Sequence, residues 1–334
     1  MKPFAYRRAT DARSAVATVA ADPDAAFLAG GTNLVDHLKL GVACPSLLVD
    51  VSDLAADLVE HLPDGGLRIG AGTRNSDLAA HPVVRAHYPL LSEALLSGAS
   101  GQLRNAATTA GNLLQRTRCG YFRDATAPCN KREPGSGCPA VAGHNRHHAI
   151  LGASPDCVAT HPSDLAAAMV ALDATAVVLG PDGERRVPIG GLYRLPGDDP
   201  TRDTVLAHGE LITAVELPAP FGGRARYRKV RDRASFAFAL VSVAAAVRMH
   251  DGVVEDLRLV FGGLAHRPWR AAHAEDALRG SAPTEVALRA AADAELLDAR
   301  TLSGNGFKVP LARNTLVSVL RELTDGAAEP EDDA

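Results

Sequence analysis

The spacing of apolar residues predicts a small α/β unit at the N-terminal end of the chain. Residues 12–21 are rich in Ala and Val with a helical period of about 3.6, and Asp11 stands where it can cap that helix. Residues 26–29 form a short apolar strand that ends at a Gly-Gly pair. Residues 33–40 return to helical spacing, and residues 47–51 are typical of a second strand.

A second, larger unit begins near Gly66 and mixes strands with helices. The pattern predicts strands at 67–72, 174–179, 185–189 and 210–217, and helices at 73–80, 90–97 and 163–171. Pro218 and Pro220 end the last strand, and Gly222 and Gly223 follow them. Such a cluster of prolines and glycines is typical of a boundary between structural units.

Beyond this boundary the pattern predicts a third unit with strands at 225–230 and 253–261, an apolar element at 238–249, and helices at 271–278, 285–297 and 311–323. Because strands and helices mix without a regular βαβ repeat, the predicted fold class is α+β. We expect residues 1–220 to form a two-part region, a small α/β unit followed by a larger α+β unit. Residues 221–325 would form a smaller C-terminal α+β domain, and residues 326–334 a disordered acidic tail.

Composition narrows the classes of function. The chain has 334 residues, of which 46% are hydrophobic, and its net charge is −4, so it does not have the strongly basic character of a nucleic-acid-binding protein. Its longest apolar run, 236–247, is far shorter than the roughly 20 residues of a membrane-spanning helix. The N-terminal residues lack the apolar core of a signal peptide. We therefore expect no membrane insertion. The compartment stays open between the cytoplasm and export in folded form on a partner's signal.

Four of the five cysteines fall in one stretch that is rich in Gly and Pro: Cys119, Cys129, Cys138 and Cys157. Four thiolates are the usual ligand set of an iron–sulfur cluster, and nearby Lys and Arg side chains would offset their negative charge. The stretch contains no C-x2-C pair, so a zinc site and four unrelated buried cysteines stay open as alternatives. Cys44 stands apart, and we expect it to be a small buried hydrophobic residue.

Two segments with small polar residues precede the cysteines. Residues 27–34, Phe-Leu-Ala-Gly-Gly-Thr-Asn-Leu, indicate a strand, a glycine turn and a helix start, whose N–H groups can bind a pyrophosphate. Residues 101–113 offer small and hydroxyl side chains that can approach a flat ring or a phosphate. The alternatives are an ordinary strand–turn–helix for the first segment and tight helix packing for the second.

These two segments, with Ser-Asp-Leu-Ala-Ala-Ala-Met-Val-Ala-Leu-Asp-Ala at 163–174, resemble the FAD-binding medium subunits of the xanthine dehydrogenase family of molybdenum hydroxylases. The resemblance extends over nearly the whole chain, but here an insertion at about 115–160 carries the four cysteines. This variant is similar to the flavin subunits of bacterial periplasmic aldehyde oxidoreductases, which carry a [4Fe–4S] cluster. The segments 99–105, 128–132 and 227–235 also favour that type.

The resemblance implies two cofactors, FAD and a [4Fe–4S] cluster, with the four clustered cysteines as the cluster ligands. Thr108, Gly111 and Asn112 would lie on the flavin side of the FAD site. The FAD pyrophosphate would be wrapped by the loop residues Leu28, Ala29, Gly30, Gly31, Thr32, Asn33, Leu34 and Asp36.

Three residues farther along the chain complete the site that the resemblance implies. Asp164 would bind the polar face of the cofactor, although an acid in the first turn of a helix is also stabilised by the helix dipole. Ile212 would pack on the ring. Lys229 would stabilise the reduced, anionic flavin by its charge; the alternative for this residue is a solvated strand lysine.

The resemblance also implies a function in electron transfer. Electrons would pass from a small partner subunit with [2Fe–2S] clusters to FAD on this chain, and then to an external acceptor. A large partner subunit would hold the molybdenum cofactor and oxidise an aldehyde, so we expect no catalytic residue for that step here. The three subunits would form a heterotrimer. The flavin and [4Fe–4S] subunit of an aroyl-CoA reductase, such as 4-hydroxybenzoyl-CoA reductase, stays open as an alternative, as does a zinc-stabilised interaction module. We interpret His144, His147, His148 and His161 as surface residues or as neighbours of the ligands.

Overall fold

The computed structural model describes residues 1–54 and 59–325 of the chain. Within these residues the strands form three sheets of three, five and four strands, with helices packed against each sheet. The first sheet is parallel and the other two are antiparallel, which confirms the predicted α+β class. The acidic tail predicted at 326–334 lies outside the described residues.

The first unit is a small α/β layer built around a parallel sheet with strand order β1-β3-β2. Its helix α1 begins where predicted, because the Asp11 carboxylate accepts a hydrogen bond from the Ser14 N–H at 2.8 Å. Helix α2 ends at Gly41, whose φ of 72° is a left-handed conformation that suits glycine. The elements are β1 (Ala5–Arg8), α1 (Ala12–Ala21), β2 (Ala25–Leu28), α2 (Leu34–Leu40) and β3 (Leu47–Asp50).

The second unit is a five-stranded antiparallel sheet, with order β4-β5-β8-β6-β7, and a set of mostly short helices. Its strands are β4 (Val59–His61), β5 (Leu67–Gly70), β6 (Thr175–Gly180), β7 (Gly183–Pro188) and β8 (Leu211–Leu217). Its helices are α3 (Asn75–Ala80), α4 (Pro82–His87), α5 (Pro89–Ser97), α6 (Gly101–Arg104), α7 (Thr109–Leu113), α8 (Gly120–Arg123), α9 (Asp164–Ala171) and α10 (Ile189–Leu192). All residues of α9 are buried, so this helix forms the centre of the unit.

The third unit is a four-stranded sheet, with order β12-β11-β10-β9, covered on one face by three helices. Its elements are β9 (Arg224–Val230), β10 (Val241–His250), β11 (Val253–Gly262), β12 (Trp269–Arg270), α11 (Ala272–Leu278), α12 (Glu285–Glu295) and α13 (Lys308–Thr324). Along β10, Ala244 faces the core around α9, whereas Val243 and Ala245 face α11–α13. The sheet therefore joins the two main hydrophobic cores.

Several predictions of individual elements were wrong in detail. Helix α3 begins at Asn75 rather than Thr73, because the Thr73 carbonyl accepts the Thr109 N–H at 3.0 Å and Arg74 forms a β-bridge with Thr108. Cys44 is exposed rather than buried, because it lies in the surface loop between α2 and β3. None of the described helices is long and apolar enough to cross a bilayer.

Candidate functional site

The two glycine-containing segments predicted to bind FAD lie in direct contact. A Cβ atom added to Gly30 would stand only 1.9 Å from the carbonyl oxygen of Ala106, far inside van der Waals contact. The two backbones can therefore approach this closely only with glycine at position 30. The contact joins the loop after β2 to the segment before α7.

The first of these segments, residues 28–36, contains backbone N–H groups that make no hydrogen bond within the part of the protein that the structure describes. Among the described residues, the N–H groups of Gly31, Thr32 and Asn33 donate no hydrogen bond to a protein acceptor. Gly31 has a φ of 70°, and Leu34 is the first residue of α2. A row of half-buried N–H groups before a helix is an arrangement that suits an anionic ligand.

The second segment is held in place by its own hydrogen bonds. Thr108 caps α7, because its hydroxyl accepts the Gly111 N–H at 3.2 Å. A guanidinium N–H of Arg74 donates to the Ala106 carbonyl at 2.5 Å and holds that carbonyl against the glycine loop. Thr108 is buried and Gly111 is exposed, so this short helix presents its glycine rather than its threonine to solvent.

Asn112 connects this segment to the start of α9. Its side-chain oxygen accepts a hydrogen bond from the Ser163 hydroxyl at 2.7 Å. Ser163 is also the N-cap of α9, since its hydroxyl oxygen accepts the Ala166 N–H at 3.0 Å. The first turn of the buried helix α9 is thereby fixed against the glycine-containing segments, and Asp164 lies in that turn.

Asp164 and Lys229 form a buried ion pair with each other. Lys229 Nζ donates to Asp164 Oδ2 at 2.7 Å, and the two side chains are 3% and 8% exposed. Asp164 Oδ1 accepts the Tyr227 hydroxyl at 2.5 Å, and Lys229 Nζ also donates to the Ser97 carbonyl at 3.1 Å. Burial, and then the charge of Asp164, raise the pKa of Tyr227. The interpretation of Lys229 as a solvated strand lysine is therefore wrong.

Ile212 lies in the hydrophobic core rather than at a surface. Its side chain is 1% exposed, on strand β8 where Ile212 pairs with Val178 of β6. Core packing alone accounts for an isoleucine at this position. The structure thus brings the loop, the 106–112 segment, Asp164 and Lys229 into one chain of contacts, and Ile212 lies outside that chain.

The four clustered cysteines line a single cavity. The space between its walls has room for at most about one water molecule. Burial raises the pKa of Cys157 to about 11 and also raises that of Cys119, so without a bound metal both are neutral thiols near pH 7. The cysteine side chains lie together with Thr117, Tyr121, Phe122, Pro128, Asn130, Lys131, Pro139, His148, Asp156 and Ala159.

The cysteines line one cavity, but among the described residues they do not form a closed site for a single metal ion. Within residues 1–54 and 59–325, no three His, Cys, Asp or Glu side chains are close enough to bind one metal ion. A structural zinc ion requires four ligands at about 2.0–2.3 Å from one centre. Four cysteines that line one cavity are a possible ligand set for an iron–sulfur cluster or for a structural zinc ion.

A buried lysine lies at the cavity wall. Lys131 has a 3% exposed side chain, and its Nζ donates to Asp203 at 2.6 Å and to the Pro200 carbonyl at 2.7 Å. Asp203 also binds Arg116 at 2.6 Å. Burial alone would raise the pKa of Asp203, but Arg116 and Lys131 together hold it below its usual value. The carboxylate of Asp203 therefore balances the positive charge of Lys131 beside the thiols.

Helix α2 connects the glycine loop to the cysteine cavity. The Asp36 carboxylate accepts hydrogen bonds from Arg123 at 2.6 Å and from Arg118 at 3.4 Å, on either side of Cys119. The His37 ring meets the Phe122 ring edge to face, with centroids 5.6 Å apart, and Phe122 lines the cavity. The Asp36 carboxylate thus attaches α2 to the insertion, and its contact with FAD stays a prediction.

The histidines of the insertion lie in different environments. His148 is buried, and its Nε2 lies 3.2 Å from Cys119 Sγ. His144 and His147 are exposed, and the His161 ring packs against Tyr193 with centroids 4.4 Å apart. Burial lowers the pKa of His148 and of His161 to about 4, so both rings are neutral near pH 7.

Comparison with known proteins settles the family of this fold and site. Residues 2–220 match the family described as "FAD binding domain in molybdopterin dehydrogenase", and residues 225–323 match "CO dehydrogenase flavoprotein C-terminal domain". The chain belongs to the FAD-binding medium subunits of the xanthine dehydrogenase family of molybdenum hydroxylases. It is therefore the FAD-binding subunit of an oxidoreductase.

Individual relatives agree with this family. The aldehyde oxidoreductase FAD-binding subunit PaoB of Escherichia coli (strain K12) is 51% identical, over 96% of this chain and 98% of that protein. The glyceraldehyde dehydrogenase medium chain of Sulfolobus acidocaldarius is 28% identical, over 81% of this chain and 79% of that protein. A crystal structure of carbon monoxide dehydrogenase from Hydrogenophaga pseudoflava is 26% identical, with a TM-score of 0.75 over 97% of this chain and 98% of that chain.

The residues present in this medium subunit fit a bound FAD. The free N–H groups of Gly31, Thr32 and Asn33 can donate to a pyrophosphate, and the close contact of Gly30 with Ala106 places the two segments side by side. The chain of contacts through Asn112 then leads to the Asp164–Lys229 pair. These features come from the packing of the chain itself, independently of the family.

Sequence reasoning missed several residues of the cysteine cavity. Phe122 and Asp203 were not predicted, and for His148 only a general position near the ligands was proposed. Phe122 follows Cys119 closely, so a buried aromatic beside a ligand was the available signal. Asp203 lies far from the insertion in the sequence, and no local pattern connects it with Lys131.

Proposed function

We propose that this chain is the electron-transfer flavoprotein subunit of a molybdenum-containing aldehyde oxidoreductase complex, and that it holds a [4Fe–4S] cluster in addition to FAD. The main support is that Cys119, Cys129, Cys138 and Cys157 line one cavity, which is joined to the predicted FAD loop through α2. The relative that is 51% identical bears the name of an aldehyde oxidoreductase subunit, which favours an aldehyde as substrate of the complex.

In this proposal the FAD pyrophosphate lies on the backbone of residues 28–36. Gly31, Thr32 and Asn33 would donate N–H groups to it, and Thr108, Gly111 and Asn112 would border the flavin. Asp164 would act through Lys229 and Tyr227, because both of its oxygens already accept hydrogen bonds from them. FAD would accept electrons and pass them on, and the protein would fix its position and its electrostatic surroundings.

The donor set of the cavity fits an iron–sulfur cluster. In a [4Fe–4S] cluster four cysteine thiolates bind different irons, so the ligands surround a volume instead of meeting at one ion. The spread of these cysteines around a common cavity, with Lys131 at its wall, agrees with that requirement. A zinc-stabilised module would use the same four thiolates, so metal analysis of the purified chain separates the two.

The remaining parts of the complex would lie on other chains. We expect a small subunit with [2Fe–2S] clusters to deliver electrons, and a large subunit with the molybdenum cofactor to oxidise the substrate. The three would form a heterotrimer, and the FAD on this chain would pass the electrons to an external acceptor. The relatives support a multi-subunit complex, since they are named as subunits or medium chains.

Anaerobic purification of the full chain, alone and with its partner subunits, tests this function. For the chain alone, the expected result is a flavin spectrum, about four irons and about four sulfides per chain, and a paramagnetic signal on reduction; the [2Fe–2S] clusters of the small subunit add to the iron of the complex. Colourless protein with one zinc per chain would overturn the proposal. For the alternative as an aroyl-CoA reductase, the complex would be assayed with aromatic aldehydes and with aroyl-CoA thioesters. Turnover of the thioesters alone would reject the aldehyde oxidoreductase.

A further inference from the structure

We propose that His148 donates a hydrogen bond from Nε2–H to the Cys119 thiolate and thereby raises the reduction potential of the cluster. The inference rests on the proposed [4Fe–4S] site. His148 would be a positioning and tuning residue rather than a ligand.

The contact is direct and protected from water. His148 Nε2 lies 3.2 Å from Cys119 Sγ, within hydrogen-bond distance for sulfur, and both residues line the cavity. His148 is buried, so water does not compete for the sulfur from that side. His148 Nε2 is thus the nitrogen that lies within hydrogen-bond distance of the Cys119 sulfur.

The tautomer that this contact needs is also the one that burial favours. Among the described residues, His148 Nδ1 is buried and has no hydrogen-bond partner. A neutral imidazole carries its proton on one nitrogen only. If the proton were on Nδ1, a buried donor would lack an acceptor, which costs more than an acceptor that lacks a donor. Placing the proton on Nε2 gives the donor a partner in the thiolate.

The backbone of His148 is anchored, in part by the C-terminal domain. The backbone carbonyl of His148 accepts hydrogen bonds from Lys308 Nζ at 2.9 Å and from Asn305 Nδ2 at 3.3 Å. Its N–H donates to the Asn145 carbonyl at 3.0 Å. Lys308 is 0% exposed and lies in the first turn of α13, so the support comes from a rigid element. Both backbone polar groups of His148 are thus fixed.

The physical effect follows from charge. An N–H donor draws electron density from a ligating thiolate, and it stabilises the reduced cluster more than the oxidised one because the reduced form carries more negative charge. A hydrogen bond to a ligand sulfur therefore raises the potential. Loss of the donor should lower the potential while leaving all four thiolates in place.

The test is a potentiometric titration of the cluster in the complete complex, monitored by electron paramagnetic resonance. His148→Phe is expected to keep the iron and flavin content and to shift the potential downward. His148→Gln keeps an N–H donor and should shift the potential less. The matched control is His147→Phe, because His147 is the exposed neighbour and does not line the cavity; its potential should equal that of the wild type.

Two results would overturn the inference. One is an unchanged potential in His148→Phe, and the other is loss of the cluster in His148→Phe when Cys119→Ser retains it, because His148 would then be the ligand. If His148→Phe does not assemble, His148→Asn decides, since its shorter amide reaches less far and should also lower the potential. A wild-type protein without iron would instead reject the proposed cluster itself, so the two failures are distinguishable.

Discussion

The candidate FAD site and the cysteine cavity are built from different parts of the chain. The FAD site consists mainly of backbone, with the N–H groups of Gly31, Thr32 and Asn33 and the close contact of Gly30 with Ala106. The cavity is lined by the side chains of four cysteines that lie apart in the sequence, and Lys131 and His148 also line it. One site depends on the path of the main chain, and the other depends on which side chains the chain carries.

Because of this difference, the two sites should respond differently to substitution. Backbone donors belong to every residue, so most side-chain changes in the glycine loop leave them in place, and a steric block does the most damage. No other side chain supplies an anionic sulfur ligand, so replacing one cysteine of the cavity removes one bond to the metal. The predictions below separate these two behaviours, beginning with the largest expected effect.

Gly30→Ala should cause the largest loss. The added methyl group would stand 1.9 Å from the Ala106 carbonyl oxygen, so the loop and the 106–112 segment must separate. We expect loss of bound FAD and a decrease of more than about 2 kcal/mol in the free energy of unfolding, as for an overpacked core. Flavin content and urea denaturation of the purified chain measure both quantities.

Gly101→Ala is the control for this prediction, because no atom lies within 4 Å of a Cβ added at that position. It should retain FAD and unfold like the wild type. If Gly30→Ala bound FAD as well as this control does, the close contact would not be a requirement of the site.

Cys129→Ser should remove the cluster and leave much of the FAD. A serine oxygen is a poor ligand for iron in this setting, whereas the glycine loop keeps its backbone donors. Iron, sulfide and flavin content of the purified protein give the answer, and Cys44→Ser, at an exposed cysteine outside the cavity, is the matched control. Equal loss of both cofactors would show that the α2 contacts make the two sites a single unit.

Asp203→Asn should lower the free energy of unfolding by about 2 kcal/mol. It would leave the Lys131 ammonium buried beside the thiols without its carboxylate, which is the costly way to break an ion pair. The unfolding midpoint at a fixed denaturant slope measures the change. Asp198→Asn, on an exposed residue of the same loop, should have no measurable effect; a similar loss in both variants would contradict a specific role for Asp203.

The smallest predicted effect is a pH dependence due to Lys308. Burial, and then the charge of Arg146, lower the pKa of Lys308 to about 7. Between this value and the usual pKa of about 10.4, the unfolded chain binds a proton that the folded chain does not. The free energy of unfolding should therefore rise with pH above about 7, by up to about 1.4 kcal/mol per pH unit.

Urea unfolding of the wild type and of Lys308→Met at pH 7 and pH 9 tests this dependence. The methionine variant lacks the titrating amine, so its stability should change less over this range. His147 and His148 face the lysine, but burial lowers their pKa below 6.5, and they are neutral in this range. An equal slope in both proteins would show that Lys308 does not titrate as described.

The sequence made an element predictable where its apolar residues follow a clear period. Helix α1 has a polar cap at Asp11, and its apolar residues face the sheet, so both its type and its bounds follow from the pattern. Strand β1 was not predicted, because its residues Ala5–Arg8 are all exposed and therefore show no apolar alternation. Helix α13 begins at Lys308, ahead of Pro310, since a proline in the first turn lacks only an N–H that would have no helical partner.

The candidate sites were predictable in composition but not in arrangement. The glycine loop could be predicted from local sequence, because a strand, a glycine turn and a helix start follow one another directly. The pairing of Asp164 with Lys229 joins residues on α9 and β9, and only the packing of the helix on the C-terminal sheet brings them together. The common cavity of the cysteines likewise depends on how the insertion folds back on itself, because residue spacing without close pairs does not specify a shape.

The contact between Gly30 and the Ala106 carbonyl makes unequal demands on its two partners. Position 30 has no room for a Cβ atom, so glycine is the one residue that fits there. At position 106 the approaching atom belongs to the peptide unit, which nearly every amino acid supplies in the same form. The contact therefore restricts the amino acid at position 30 during evolution, but it does not restrict the amino acid at position 106.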